Sequence, residues 1–282
     1  MKPNPTFRRC PKSFWAHVRS ISQRVGYTVR GQDQIKVPTF AEMRDALRDL
    51  NLDGSRIADG EENPTALGRE LRDYFAYRAK VLNETIRLRL MDAPEAEKLF
   101  RAMRAKAKYE CPFPMNKQKG DKAKPAYLTC MVNMLVSRNT GSHDCDYDPR
   151  SLTTITAKGA PLRTLSRRVD GAFPSNVNPI AIWEVKEYYY TTTFGSRIAD
   201  GIYETLLDGM EIEELQQSEG IEVKHYLIID GHRTWWNDGK SYLCRIVDML
   251  HMGYLDEVLV GREVVTALPA LAQSWSKIAD TI

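Results

Sequence analysis

Asp170, Glu184 and Lys186 are the residues of this chain whose types and spacing suit chemistry. Thirteen residues separate Asp170 from Glu184, and only Val185 separates Glu184 from Lys186. The stretch "IAIWEVKEYYY", residues 180–190, reads as a strand, being apolar, β-branched and aromatic with no Gly or Pro. On a period of two, Ile180, Ile182, Glu184 and Lys186 share one face, and Ala181, Trp183 and Val185 share the other. Burying a carboxylate and an ammonium on such a face is costly unless they are paired or metal-bound. If the preceding strand, "RRVDGAF", forms a hairpin with it, Asp170 and Glu184 meet near the strand ends. Two carboxylates at close range repel unless a cation lies between them. Mg²⁺ is held by one or two carboxylates, water and phosphate oxygens. Such an ion lowers the pKa of a bound water and stabilises charge developing on a phosphate. Lys186, on the same face as Glu184, would orient or help deprotonate the attacking water and offset charge at phosphorus.

Asp170 together with Glu184-Val185-Lys186 resembles the PD-(D/E)xK nuclease superfamily, which includes most type II restriction endonucleases. The resemblance covers roughly residues 125–230, including the order helix, three strands, helix, strand. It implies that Asp170 and Glu184 ligate Mg²⁺ and that Lys186 acts at the attacking water. Two departures stand out. Val169 precedes Asp170 where the family pattern has Pro, and the helix "AYLTCMVNMLVSR" supplies no acid where some members use a helix Glu as a ligand. By this resemblance the chain is a type II restriction endonuclease that hydrolyses double-stranded DNA sequence-specifically and leaves a 5′-phosphate. Cutting both strands of a palindrome needs two active sites, so a homodimer is expected. A cognate DNA methyltransferase acting on the same site is an expected partner. The alternatives are a nuclease of the same fold for repair, junction resolution or modified DNA, and a helix-turn-helix regulator that binds DNA without cutting it.

The elements that must position these residues follow from periodicity and caps. Residues 39–106 read as helical, with Thr39 and Glu42 at capping-box spacing. Asn63 and Pro64 read as a cap and first helical residue. Two helices here, joined by a Gly-containing turn, would offer Arg69, Arg72 and Arg78 to phosphates or bases. Residues 111–125 read as a long basic loop. A buried helix ends near 138, followed by strands in "SLTTIT", "TLSRRVDGAF" and "PIAIWEVKEYYY". A helix from Ser196 to about Gln217, strand "VKHYLIID", helix "SYLCRIVDMLHM" and strand "EVLV" complete the series. The expected fold is α/β: a restriction-endonuclease-like mixed sheet flanked by helices over 111–282, after a mainly helical, basic region over 1–110 for DNA recognition.

Net charge is only +3, but it is unevenly placed. Residues 1–50 hold ten Lys/Arg against four Asp/Glu, and residues 101–125 hold eight against two. Residues 198–222 hold eight acids and no Lys or Arg. Basic segments with a separate acidic helix suit a nucleic-acid binder with a front and a back. Lys117, Lys119, Lys122, Lys124, Arg168, Thr192, Ser196 and Arg197 are the expected DNA contacts, the Ser196 pair as a helix N-terminus for phosphate. Arg167 and Arg168 flank Asp170 and would contact the DNA backbone or pair with the acidic helix. Cys111, Cys130, His143 and Cys145 are of the types that hold zinc, but there is no Cys-x-x-Cys pair. Five scattered cysteines, no apolar run of membrane-spanning length and no apolar leader lead to the expectation of a cytoplasmic protein.

Overall fold

The computed structural model of the chain describes residues 1–29, 32–59, 63–116, 119–120, 123–190 and 196–281. The first third is helical: α1 (Pro5–Arg8), α2 (Lys12–Val25), α3 (Phe40–Arg48) and α4 (Ala66–Lys80). A strand pair, β1 (Ala58–Asp59) and β2 (Asn63–Pro64), precedes α4, which continues through a π-helical turn (Val81–Ile86) into α5 (Arg87–Arg89). The capping box at Thr39 and Glu42 is present. Asn63 and Pro64 are not a helix start; they lie in β2, and Thr65 caps α4 by accepting from the Gly68 amide. The link from α3 to α4 runs from 49 to 65 and carries a strand pair, unlike the tight turn of a helix-turn-helix. Arg78 does not face nucleic acid. It is buried at 1% exposure, with Nη1 3.0 Å from both carboxylate oxygens of Asp248.

Next come α6 (Ala93–Lys106), α7 (Tyr127–Asn139) and a five-stranded mixed sheet in the order β3-β6-β7-β8-β9. Its strands are β3 (Asp146–Tyr147), β6 (Gly171–Phe173), β7 (Ala181–Lys186), β8 (Lys224–Ile229) and β9 (Glu257–Val260). The segment expected as its first strand, "SLTTIT", instead forms a separate hairpin of β4 (Thr154–Ala157) and β5 (Ala160–Thr164). β5 is largely exposed and Ile155 is the one buried residue of β4, so the hairpin lacks the two-sided apolar surface of a strand inside the sheet. β6 and β7 pair antiparallel, whereas β7-β8 and β8-β9 pair parallel. The crossovers are α8 (Ser196–Glu219) and α9 (Lys240–Met252), and α10 (Val264–Ala279) closes the chain.

β7 is central and buried on both faces, which explains its near-continuous apolar run. Trp183 joins the core of α6, α7 and α10 and stacks on Trp275 at 5.6 Å and 10°. Ile182 turns the other way, to Ile212 and Leu215 of α8. Gly171 is the register partner of Trp183, and a Cβ there would lie 2.1 Å from the indole. Only a residue without a side chain lets that ring cross the neighbouring strand. The expected division at 110 puts α6 with the N-terminal region, yet Ala96, Phe100 and Met103 pack into the core of the sheet.

Candidate active site

β7 carries Glu184 and Lys186 on the face that α8 covers. Asp170 sits one residue before β6, where that strand leaves β7. Its amide donates to the Trp183 carbonyl at 3.2 Å, and its Oδ2 accepts from the Val185 amide at 2.8 Å. The hairpin expected from the sequence therefore forms, and it holds Asp170 beside the strand that bears Glu184.

Glu184 is fully buried. Lys186 donates from Nζ to its Oε2 at 2.8 Å and to Oε2 of Glu204 at 3.3 Å. Arg167 donates from Nη2 to Glu184 Oε2 at 3.1 Å and from Nη1 to Asp208 Oδ2 at 2.6 Å. Its Nη1 also lies 2.9 Å from Glu184 Oε1, and its Nη2 3.4 Å from Glu204. Three carboxylates, Glu184, Glu204 and Asp208, thus share the cations of Arg167 and Lys186 between the sheet and α8. Lys186 is 7% exposed and doubly paired. Gly201 of α8 allows this closure, because a Cβ there would meet the Tyr188 hydroxyl at 2.8 Å and the Lys186 stem at 3.3 Å.

Charge and burial set the protonation of the cluster. Burial pushes the Glu184 carboxyl up, but Lys186 and Arg167 outweigh it and hold the group below its ordinary range. Burial and the neighbouring Glu184 push Asp170 up to about 6 and Asp208 up to about 7. Burial opposes the charge of Lys186, yet Glu184 and Asp170 raise its pKa overall. Lys186 is therefore an ammonium at neutral pH. On the other face of β7, Glu187 accepts from the amide and hydroxyl of Thr129, both at 2.9 Å, at the start of α7. It stands in for the side-chain cap that Ala126 cannot supply. Burial raises its pKa to about 7.

The acids of α8 explain its composition. Glu204, Asp208 and Glu211 recur at spacings of four and three, which places them on one face. Glu211 accepts from the amide and hydroxyl of Ser166 at 3.1 and 2.6 Å, and Glu214 pairs with Arg163 at 3.0 Å. The helix thus pins residues 163–167, the approach to Asp170. Of the two roles expected for Arg167, the structure shows pairing with the acidic helix. Sequence reasoning did not single out Glu204 and Asp208; their periodicity opposite Arg163 and Arg167 was the available signal.

Of the expected DNA contacts, Arg168 and Lys119 are exposed. Lys124 pairs with Glu97 at 3.6 Å and lies 5.9 Å from the Tyr190 ring. Lys117, Lys122 and Thr192 lie outside the described residues, as do the side chains of Ser196 and Arg197, whose backbones open α8. A cavity of about 420 Å³ lies beside the basic loop, lined by Phe100, Arg101, Arg104, Ala105, Pro125 and Tyr127. The five cysteines are unpaired. Among the described residues, no helix is long and apolar enough to cross a membrane.

The donor set suits a hard divalent ion in its chemistry. Asp170, Glu184, Glu204 and Asp208 offer carboxylate oxygens; of the buried ones, Asp208 Oδ1 accepts no hydrogen bond, while Glu184 Oε1 lies 2.9 Å from Arg167 Nη1. Among the described residues, no three His, Cys, Asp or Glu side chains are gathered to enclose an ion. Arg167 and Lys186 fill the space between the acids. No curated protein and no solved structure matches the chain. Residues 1–85 match a domain of unknown function, DUF7690. Residues 91–275, which carry the sheet and the whole charge cluster, match a second domain of unknown function, DUF7687, and the chain belongs to that family.

Proposed function

We propose that the chain is a Mg²⁺-dependent DNA endonuclease of the PD-(D/E)xK kind, acting as a type II restriction enzyme. One observation carries the reading. Asp170 heads β6 while Glu184 and Lys186 share one face of β7, within the series α7, β3, β6, β7, α8, β8, in which three antiparallel strands are followed by a helix and a parallel strand. This series suits a restriction-endonuclease-like core. Asp170 and Glu184 would hold the ion, which when bound supplies an acidified water and stabilises phosphate charge. Lys186, kept protonated by Glu184 and Asp170, acts as a donor and a positive charge rather than as a base. It orients the attacking water and offsets charge at phosphorus. The basic loop at 111–125 and the basic N-terminal region would track the DNA backbone. A homodimer would bring two such sites to a palindrome, and a methyltransferase with the same target would protect host DNA.

The test is digestion of unmethylated phage DNA with Mg²⁺ and with EDTA. Discrete bands in Mg²⁺ and none in EDTA are expected; full activity in EDTA overturns the reading. A random smear points instead to a same-fold nuclease without a recognition site. A second reading draws on the full burial and pairing of Glu184: the cluster is a structural ion network, and the chain binds DNA without cutting it. Binding that is indifferent to Mg²⁺, with no nicking, would establish that one.

A further inference from the structure

Three donors from distant parts of the chain meet on one carboxylate. Asp33 lies in the link between α2 and α3, Arg87 opens α5, Trp236 lies in the turn Arg233–Asp238, and Lys240 opens α9. Lys240 Nζ lies 2.8 Å from Asp33 Oδ1, and Trp236 Nε1 donates to the same oxygen at 2.9 Å. Arg87 Nη2 lies 2.6 Å from Oδ2. The indole also holds both cations. The Arg87 guanidinium and the Lys240 ammonium lie 5.1 and 5.0 Å from the ring of Trp236, which is fully buried. No side chain caps the N-terminus of α9, so its partial positive charge adds to theirs. Asp33 is the loose member, with a side chain 53% exposed. Its loop has other anchors: Ile35 is buried, the Ile35 amide donates to Asn83 Oδ1 at 3.0 Å, and Lys36 pairs with Glu42 at 2.6 Å.

Charge does not balance at this point. Arg87 and Lys240 bring two positive charges and Asp33 returns one; among the described residues neither cation pairs with another carboxylate. A phosphate monoester carries nearly two negative charges at neutral pH and three strong acceptor oxygens. Two of those oxygens can take the places of Asp33 Oδ1 and Oδ2, and the third can face the helix N-terminus. We infer that Arg87, Trp236, Lys240 and the N-terminus of α9 form a binding site for a phosphate monoester, and that the Asp33 carboxylate occupies it until the phosphate displaces it. The site shares no residue with the charge cluster of β7 and does not rest on the nuclease reading. Phosphate binds only to the fraction of molecules in which Asp33 has turned outward, so its apparent affinity is lowered by that fraction.

Isothermal titration with inorganic phosphate, without Mg²⁺ or DNA, tests this in the wild type, Asp33→Asn, Arg87→Gln and Lys240→Gln. Asp33→Asn is expected to bind about tenfold or more tightly than the wild type, since the competitor is gone. Arg87→Gln and Lys240→Gln are each expected to bind about tenfold or more weakly, having lost a charged donor. Phosphate should also raise the melting temperature of Asp33→Asn more than that of the wild type. The same titrations with AMP, and with one oligonucleotide bearing a 5′-phosphate or a 5′-hydroxyl, distinguish the sources. Tighter binding of AMP than of inorganic phosphate supports a free nucleotide; a preference for the 5′-phosphorylated strand, lost in Lys240→Gln, supports a strand end. Binding in Arg87→Gln and Lys240→Gln equal to wild type puts the phosphate elsewhere and overturns the site. Asp33→Asn binding no more tightly than the wild type overturns the displacement. If neither binds any of these probes, the three donors only anchor the loop and the inference falls. Should Asp33→Asn not fold, Asp33→Ala must meet the same expectations.

Discussion

The backbone amide of Val185 donates to the carboxylate of Asp170 at 2.8 Å across fifteen positions of sequence. Val185 lies between Glu184 and Lys186, so this bond ties Asp170 to the strand that presents both. The approach to Asp170 is held by α8 and its departure by the β6–β7 pairing. Asp170 is thus positioned by two elements, and Glu184 and Lys186 by a third that both of them touch.

On the proposed mechanism, Glu184→Gln and Lys186→Ala should each lower DNA cleavage by on the order of a hundredfold or more. Both groups are buried and paired, so stability will also fall, and circular dichroism must show that each variant is folded. Glu187→Gln faces α7 and should keep most activity. If Glu187→Gln is inactive while Glu184→Gln cuts, the reactive face of β7 is the other one. If all three cut normally, the nuclease reading fails.

Replacing Lys119 and Lys124 by Gln should weaken binding to DNA of any sequence and flatten its dependence on salt. Each phosphate that the protein no longer neutralises reduces the slope of log affinity against log salt by about one. Lys124 also holds Glu97, so the Lys119 variant is the cleaner of the two. Unchanged affinity in a filter-binding titration would mean that this loop does not meet the duplex.

Glu187 gives a stability-versus-pH prediction with a definite sign. Its folded pKa is raised to about 7 from an ordinary 4.5, so the folded chain holds this proton where the unfolded chain has lost it. Below about 4.5 both states are protonated and the group is neutral in effect. As pH rises from there to 7, its contribution turns against folding by roughly 1–3 kcal/mol, and it stays constant above. Thermal melts at pH 5 and pH 8 should therefore differ less in Glu187→Gln than in the wild type. An identical pH dependence would show that Glu187 does not titrate in that range.

Asp248→Asn should destabilise the chain strongly, because Arg78 would be left charged at 1% exposure. Losing one partner of a buried pair typically costs roughly 3–5 kcal/mol. The Tyr74 hydroxyl loses part of its acceptor as well. Since α4 carries Tyr74 and Arg78 while α9 carries Asp248, urea unfolding should show the N-terminal helices loosening first. A midpoint within error of wild type would contradict the central role of this pair.

The grouping of Asp170, Glu184 and Lys186 was legible in the chain because strand periodicity is local. A two-residue alternation puts Glu184 and Lys186 on one face whatever surrounds them, and a short turn brings Asp170 back to that strand. Helices α7, α8 and α9 were legible for the same reason, from apolar periods and caps. Other features depended on partners far away in sequence. "SLTTIT" has strand propensity, yet its place outside the sheet was decided by which segments found an apolar face to cover. Helix α10 was not legible, its pattern interrupted by Pro269, and only packing on α7 and Trp183 makes it part of the core. The charge of Arg78 pointed outward on composition alone, while the docking of α4 on α9 turned it inward to Asp248. The state of Lys186 was likewise a tertiary matter. Spacing placed it beside Glu184, but only α8 closing through Gly201, with Glu204 and Asp208 opposite Arg167, decided that the ammonium is buried and paired. Periodicity is a property of neighbours along the chain; burial and pairing are properties of elements that meet only once the chain has folded.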